Sequence, residues 1–271
     1  LSENENKEIF DLTIGGIGLT GTIVNVTFKL LKTKSRRFVT KKLAVNTIEE
    51  CKNKILQESA NSSFIYSWNM ADNLKNFGKG IVYKNYVDDS MNDFKQFDEC
   101  KNNFKPFFIP LWNKYSISFI NFIYLKLNYL TKSKKKEDFL SVIFPFYRKE
   151  NYFNFFGKKG FIESQLLIDE FKFDSFMLEF KNLFKKYEPT VTLFSLKNMS
   201  GKQELLRFED NKICITFDYV NNSKNLLFMS KIDSLYEKYE ILPSITKDSR
   251  ISKEIFNKSY KNSSVFIKKL R

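Results

Sequence analysis

Four of the nine glycines in this chain fall within seven residues, at Gly15, Gly16, Gly18 and Gly21. A cluster that tight suits a backbone that turns sharply, or one that lets a ligand come closer than a Cβ permits. The alternating run behind it, Ile23 to Leu31, reads as a half-buried strand. The dinucleotide fingerprint is excluded, because no helical periodicity follows the last glycine. An ordinary glycine-rich hairpin satisfies the same pattern, so the motif alone leaves both readings open.

What the chain lacks narrows its chemistry further. There is no histidine among the 271 residues. A Ser-His-Asp triad, a His-ligated zinc and an imidazole base are therefore all excluded. Acid-base work must fall to Lys, Tyr, Asp, Glu or a cofactor. The three cysteines, Cys51, Cys100 and Cys214, are widely spaced and odd in number. They form no metal pattern and point to a reducing, cytoplasmic setting. Lys and Arg number 45 against 31 Asp and Glu, a net charge of +14. That balance suits phosphate, nucleic acid or an anionic membrane surface. A general bias toward Lys, Asn, Phe and Ile explains the scattered excess as well. No apolar run reaches transmembrane length; residues 104–130 come nearest, interrupted by Lys105, Lys114 and Lys126 among others. The chain begins at Leu1 with a polar stretch that reads as running straight into a strand, as a piece of a longer protein would.

Periodicity supplies the elements that must position any site. Residues 46–59 predict a helix with Asn46 as N-cap, Glu49 at the capping-box position and Ile48, Cys51, Ile55 and Leu56 on one face. Residues 63–70 and 80–87 are strand-like, 89–105 a polar loop, and 107–130 aromatic-rich and partly helical. From Phe161 onward the pattern sharpens: strand 161–168, helix 173–187, strands 190–196 and 212–219, helix 223–239, strand 241–246, then a helix over 251–260. That order is the split β-α-β-β-α-β arrangement, which predicts an α+β fold whose antiparallel sheet carries helices on one face.

Several segments together resemble the flavin-dependent oxidases of the vanillyl-alcohol oxidase superfamily, in particular the decaprenylphosphoryl-β-D-ribose 2′-oxidases. They are Ile14-Gly-Gly-Ile-Gly-Leu-Thr-Gly-Thr-Ile23, Tyr66-Ser67-Trp68, Phe156-Gly-Lys-Lys-Gly-Phe-Ile-Glu-Ser-Gln165, Lys197, Ile213-Cys-Ile215 and Thr246-Lys-Asp-Ser-Arg250. All occur in the family's order and near its spacings. The resemblance implies FAD as cofactor and hydride transfer from a sugar carbinol carbon to the flavin. It also implies three parts: residues 1–33 as the remnant edge of an FAD-binding domain, 34–245 as a substrate or cap domain with a mobile segment near 88–138, and 246–271 as a helical return to the FAD side. The pyrophosphate-binding half would precede Leu1, so this stretch alone should hold FAD weakly.

Residue by residue, the resemblance places Lys247 and Lys197 in the active site, Lys247 beside the flavin and Lys197 toward a substrate phosphate. Gln165, Glu163, Tyr66 and Cys214 fall on substrate-side positions. Gly15, Gly16, Gly18, Gly21 and Ile23 fall on the cofactor side. Glu163 stands where the family has glutamine and Ser244 where it has tyrosine; Trp68 sits two residues early, with Met70 at the aligned place. The partners implied are a sugar or polyprenyl-phospho-sugar, a reductase for a keto intermediate, and peripheral contact with the inner face of a membrane. Nucleic acid is not implied. The competing class is a basic, non-catalytic module that binds nucleic acid or anionic lipid.

Overall fold

The computed structural model describes residues 1–30, 32, 33, 35, 37–88, 107–147 and 149–270. The expected loop at 89–105, and Cys100 within it, lie outside the described residues. After α1 (Lys7–Thr13) the chain forms β1 (Arg37–Val45), α2 (Ile48–Ser59), β2 (Phe64–Asn69), β3 (Gly80–Val87), α3 (Lys114–Leu130) and β4 (Lys134–Asp138). Two short helices follow, α4 (Phe139–Ile143) and α5 (Asn151–Asn154). Then come β5 (Phe161–Ile168), α6 (Glu170–Tyr187), β6 (Val191–Asn198), β7 (Ile213–Val220), α7 (Ser223–Asp233), α8 (Tyr236–Tyr239) and β8 (Leu242–Pro243). The last elements are α9 (Lys253–Ser259) and α10 (Ser263–Leu270).

The fold is α+β, with eight strands in one antiparallel sheet ordered β4-β1-β3-β2-β6-β7-β5-β8. That order contains the expected β-α-β-β-α-β unit twice. Within each half the strands run fourth, first, third, second, and the two second strands, β2 and β6, lie side by side. The join is sparse. Its register partners are Tyr66 with Lys197 and Asn69 with Phe194, and the Leu196 amide donates to Ser67 Oγ at 2.8 Å rather than to a carbonyl.

One sheet face carries the main core. The inward stripe of α6, Phe173, Phe176, Met177, Phe180 and Phe184, recurs at three and four residues and is fully buried or nearly so. Phe180 stacks on Phe217 of β7 at 4.7 Å and meets Phe228 of α7 edge-on at 5.3 Å. Such rings dominate core energetics because each removes a large apolar area from water. From the other half, α2 adds Ile48, Cys51 and Ile55 to the same cluster.

Several expectations need correction. Helices cover both faces, not one: α3 packs through Leu125 on Met70, Ile81 and Tyr83 of the opposite face. There, too, Leu12 of α1 joins Leu167, Cys214, Tyr260 and Phe266 in a second cluster. The alternating run after the glycines is not a strand. Residues 21–30 have no regular structure, and Val24, Val26, Phe28 and Leu30 are exposed. Alternation predicts a strand only where a neighbour accepts its backbone groups, and no described strand lies alongside. The polar opening leads into α1, a helix. The cap of α2 is shifted by one residue: Thr47 accepts from the Glu50 amide, and Glu50 Oε2 accepts from the Asn46 amide. The expected 223–239 helix breaks at Ser234 into α7 and α8. The strand expected at 241–246 is only two residues long, because Pro243 has no N–H for the ladder. Finally, β1 and β4 are strands the sequence reading did not assign. Lys134, Lys135 and Lys136 sit on the sheet's edge strand, where charge blunts unwanted pairing.

Candidate active site

Strand alternation puts Glu163, Gln165 and Leu167 on the sheet face opposite the main core. The register carries that face across the second half. Glu163 pairs with Asp218, Gln165 with Thr216 and Leu167 with Cys214. On β6, Thr216 then faces Ser195 and Cys214 faces Lys197. Across the central join, Lys197 faces Tyr66. Directly opposed side chains of this kind stand ~5 Å apart at Cβ. A slip of one residue would have sent the whole set into the core. The structure therefore brings Gln165, Glu163, Cys214, Lys197 and Tyr66 to one face.

Lys247 reaches this face from the turn after β8. The Ser244 amide donates to the Gln165 carbonyl at 2.8 Å, and the Lys247 and Asp248 amides donate back to the Ser244 carbonyl at 3.2 and 3.1 Å. Below the turn, Arg250 fastens Asp248 at 2.5 Å and Asp233 at 3.0 Å. Asp248 is buried, so the Lys-Asp-Ser-Arg run has a plain physical logic. Asp248 and Arg250 clamp the turn, and Lys247 is left projecting. Its Nζ donates to Glu163 Oε2 at 3.3 Å. The helix that follows is capped by Ser252, which accepts from the Ile255 amide at 3.2 Å.

Sequence reasoning missed Asp218. Its side chain is almost wholly buried, with Oδ2 3.3 Å from the Tyr152 hydroxyl. That hydroxyl also lies 2.8 Å from Thr192 Oγ1. Burial first, and the facing Glu163 second, push the Asp218 carboxyl up to about 8; Tyr152, Lys247 and Lys197 pull it down less. Two carboxyls facing across neighbouring strands cannot both ionise cheaply, so Asp218 keeps its proton at neutral pH. Asp218 Oδ1 and Thr216 Oγ1 are buried without a hydrogen-bond partner. The signal was present as Cys214, Thr216 and Asp218 at alternate positions of an otherwise apolar strand. What could not be read was Tyr152 folding over them from 66 residues away.

Cys214 has a different character. It packs within the second apolar cluster beside Leu12 and Leu167. Burial pushes its thiol up to about 11 although Lys197 opposes the shift, so it stays a neutral packing group. Tyr66 stacks on Tyr83 at 5.3 Å, and burial raises its hydroxyl far above the usual range. The glycine loop makes one tight turn after another. Positive φ occurs at Gly15 (72°), Gly18 (75°) and Gly21 (135°), and at the non-glycine Ile17 (55°). A Cβ at Gly18 or Gly21 would meet nothing within 4 Å, so at these positions glycine answers to backbone conformation and not to crowding. Arg207 Nε holds the loop by donating to the Ile14 carbonyl at 3.4 Å. Ile23 follows in the exposed irregular run.

The result is a shelf with a buried floor, Thr216 and Asp218, and a partly exposed rim, Lys247 and Glu163. Its inventory of ammonium, carboxyl, amide and hydroxyl groups suits a ligand rich in hydroxyls with an anionic end. Two clefts elsewhere, one beside α1 and α10 and one between α8 and α9, contain none of these residues. Among the described residues, no cluster of three or more Cys, Asp and Glu is placed to hold a metal ion. No protein-family model matches the chain, and no curated protein matches it.

Proposed function

We propose that this sheet face is the substrate side of a flavin-dependent oxidase acting on a hydroxyl of a phosphate-linked sugar. The observation that supports it most is convergence. Lys197, Gln165 and Lys247 come from three separate stretches of chain and meet on one face with the Glu163–Asp218 pair. The residues present fit a flavin by the chemistry of their donors. Lys247 offers an ammonium that would sit against the electron-rich edge of a reduced ring, and Thr216 carries a buried hydroxyl still lacking a partner. FAD supplies a two-electron acceptor when bound.

The chain's own groups do the rest. Gln165 and Glu163 present an amide and a carboxylate to sugar hydroxyls, fixing which carbon is offered. Lys197 attracts the phosphate side as a point charge. The proton released from the hydroxyl has the Glu163 carboxylate as its acceptor, held by the Lys247 ammonium 3.3 Å away. Asp218, kept protonated and held by Tyr152, can donate where Glu163 can only accept.

The test is flavin reduction. FAD-loaded protein mixed anaerobically with polyprenyl-phospho-pentoses should bleach its flavin band, and Lys247→Ala should slow this about a hundredfold. An FAD band left unbleached by these substrates at saturating FAD would end the proposal; weak FAD binding by this stretch alone is the expected result and would not. A Lys247→Ala variant reduced at the wild-type rate would move the role to Lys197.

A further inference from the structure

Helix α3 is built inside out. The residues it turns toward the sheet are Ile117, Asn121 and Leu125, with Ser118 and Asn128 beside them. Several of its inward contacts are polar, beside the packing of Leu125 and Tyr124 on the sheet. Asn121 Nδ2 donates to Asp72 Oδ1 at 3.1 Å, and Ser118 Oγ donates to the other oxygen of the same carboxylate. The Tyr124 and Tyr83 hydroxyls meet at 2.7 Å. The outward side, by contrast, shows Tyr115 (83 % exposed), Phe119 (65 %), Phe122 (56 %), Leu127 (56 %) and Leu130 (83 %). A surface helix normally arranges these the other way round. A run of exposed apolar side chains this long marks an interaction face.

Charge identifies what the face meets. From residue 107 to residue 136 the chain has six lysines, Lys114, Lys126, Lys132, Lys134, Lys135 and Lys136, and no carboxylate. Lys126 lies within the apolar side, its Nζ 5.7 Å from the Phe122 ring, where a long stem lets an ammonium reach outward. The others stand at the two ends of the helix. Three of them are partly offset, Lys114 by Glu188, Lys135 by Glu137 and Lys136 by Asp88; Lys132 and Lys134 remain exposed beside the helix end. A protein partner would need an apolar groove and acidic rim in matching positions. A bilayer surface with anionic headgroups offers both features everywhere: acyl chains for the rings, phosphates for the lysines. No helix among the described residues is long and apolar enough to cross a membrane, which leaves α3 the geometry of a helix that lies in the interface.

We propose that α3 and its lysine-rich C-terminal end form a docking face for anionic lipid bilayers. This holds independently of the oxidase reading, since it needs no flavin and no substrate. Flotation of the chain with phosphatidylcholine vesicles, with and without added phosphatidylglycerol, tests it. Binding should require the anionic lipid and weaken as salt is raised. Phe119→Ser and Phe122→Ser should each lower the partition constant about tenfold. Lys126→Gln and Lys132→Gln should each lower it about fivefold. Each variant should melt within a few degrees of the wild type, since every one of these side chains is exposed. Absence of binding to the mixed vesicles would overturn the proposal, as would binding that the phenylalanine variants leave unchanged. Light scattering provides the last control: a dimer dissolved by the same two variants would show the face to be a contact between copies of this chain, and the lipid proposal would fall.

Discussion

The two halves of the sheet share one strand order and differ in where they put their second helix. In the second half, α6 and α7 both lie on the core face, sealed by stacked phenylalanines. That leaves the other face free to carry Lys197, Gln165 and Asp218. In the first half, α2 takes the core face and α3 the opposite one. One strand order here carries its second crossover on either face. The inward residues of α7, Phe228, Met229 and Ile232 with Asn225, join the phenylalanine core, whereas α3 turns two apolar residues and an asparagine to the other face. The second half reads as the stability-bearing part that exposes a polar shelf. The first supplies Tyr66 to that shelf and presents an apolar surface of its own.

Substitutions can break or sharpen this contrast. The largest effect belongs to Phe180→Ala, which empties a fully buried site between two ring partners. It should cost about 3–5 kcal/mol in urea denaturation, and a loss under 1 kcal/mol would show that α6 is not the anchor described. Next is Lys247→Ala, expected to cost about a hundredfold in flavin reduction. Lys247 is half-exposed and its ion pair is screened, so stability should move by less than about 1 kcal/mol.

The third effect is a dependence on pH. Asp218 holds its proton in the fold up to about 8, whereas in the unfolded chain it releases it near ~4. Between those values the folded state binds more protons, so stability falls as pH rises and levels off above about 8. Asp218→Asn should flatten that decline in melts recorded from about pH 5 to pH 8. Glu163→Gln should shorten it from the alkaline side, because Glu163 is one of the two causes raising Asp218. An unchanged slope in Asp218→Asn would assign the pH dependence elsewhere. The smallest effect is Phe122→Ala on the outer side of α3, which should change stability by no more than about 0.5 kcal/mol. A cost near that of Phe180→Ala would mean that α3 is covered within this chain.

Much of this was legible in the sequence where local pattern and burial agree. The second β-α-β-β-α-β unit could be read because its stripes are strongly apolar and its strands alternate cleanly. The resemblance, not the pattern, groups Gln165, Cys214 and Lys197; the register of β5, β7 and β6 is what puts them on one face. β1 escaped because Lys41 and Lys42 sit mid-strand between its apolar residues. Residues 23–28 misled in the opposite sense: their alternation is real, but pairing needs a neighbour that no local pattern reports. Asp218 was hidden for a third reason. A polar residue on a strand is ordinarily solvated, and only the fold shows Tyr152 sealing it.

The join between β2 and β6 has a mechanical consequence. β1 with β3 and β5 with β7 are tied by continuous runs of register partners, whereas here a hydroxyl, Ser67 Oγ, receives the Leu196 amide. Ser67 Oγ also donates to Asn69 Oδ1, so the link is a side-chain relay and not a ladder bond. Small twisting between the halves should therefore concentrate at this line, and the Leu196 amide should exchange with deuterium before those of β7. Lys197 and Tyr66 stand on opposite sides of it, so the same twist sets the gap between them while the neighbouring Cys214–Lys197 spacing stays fixed.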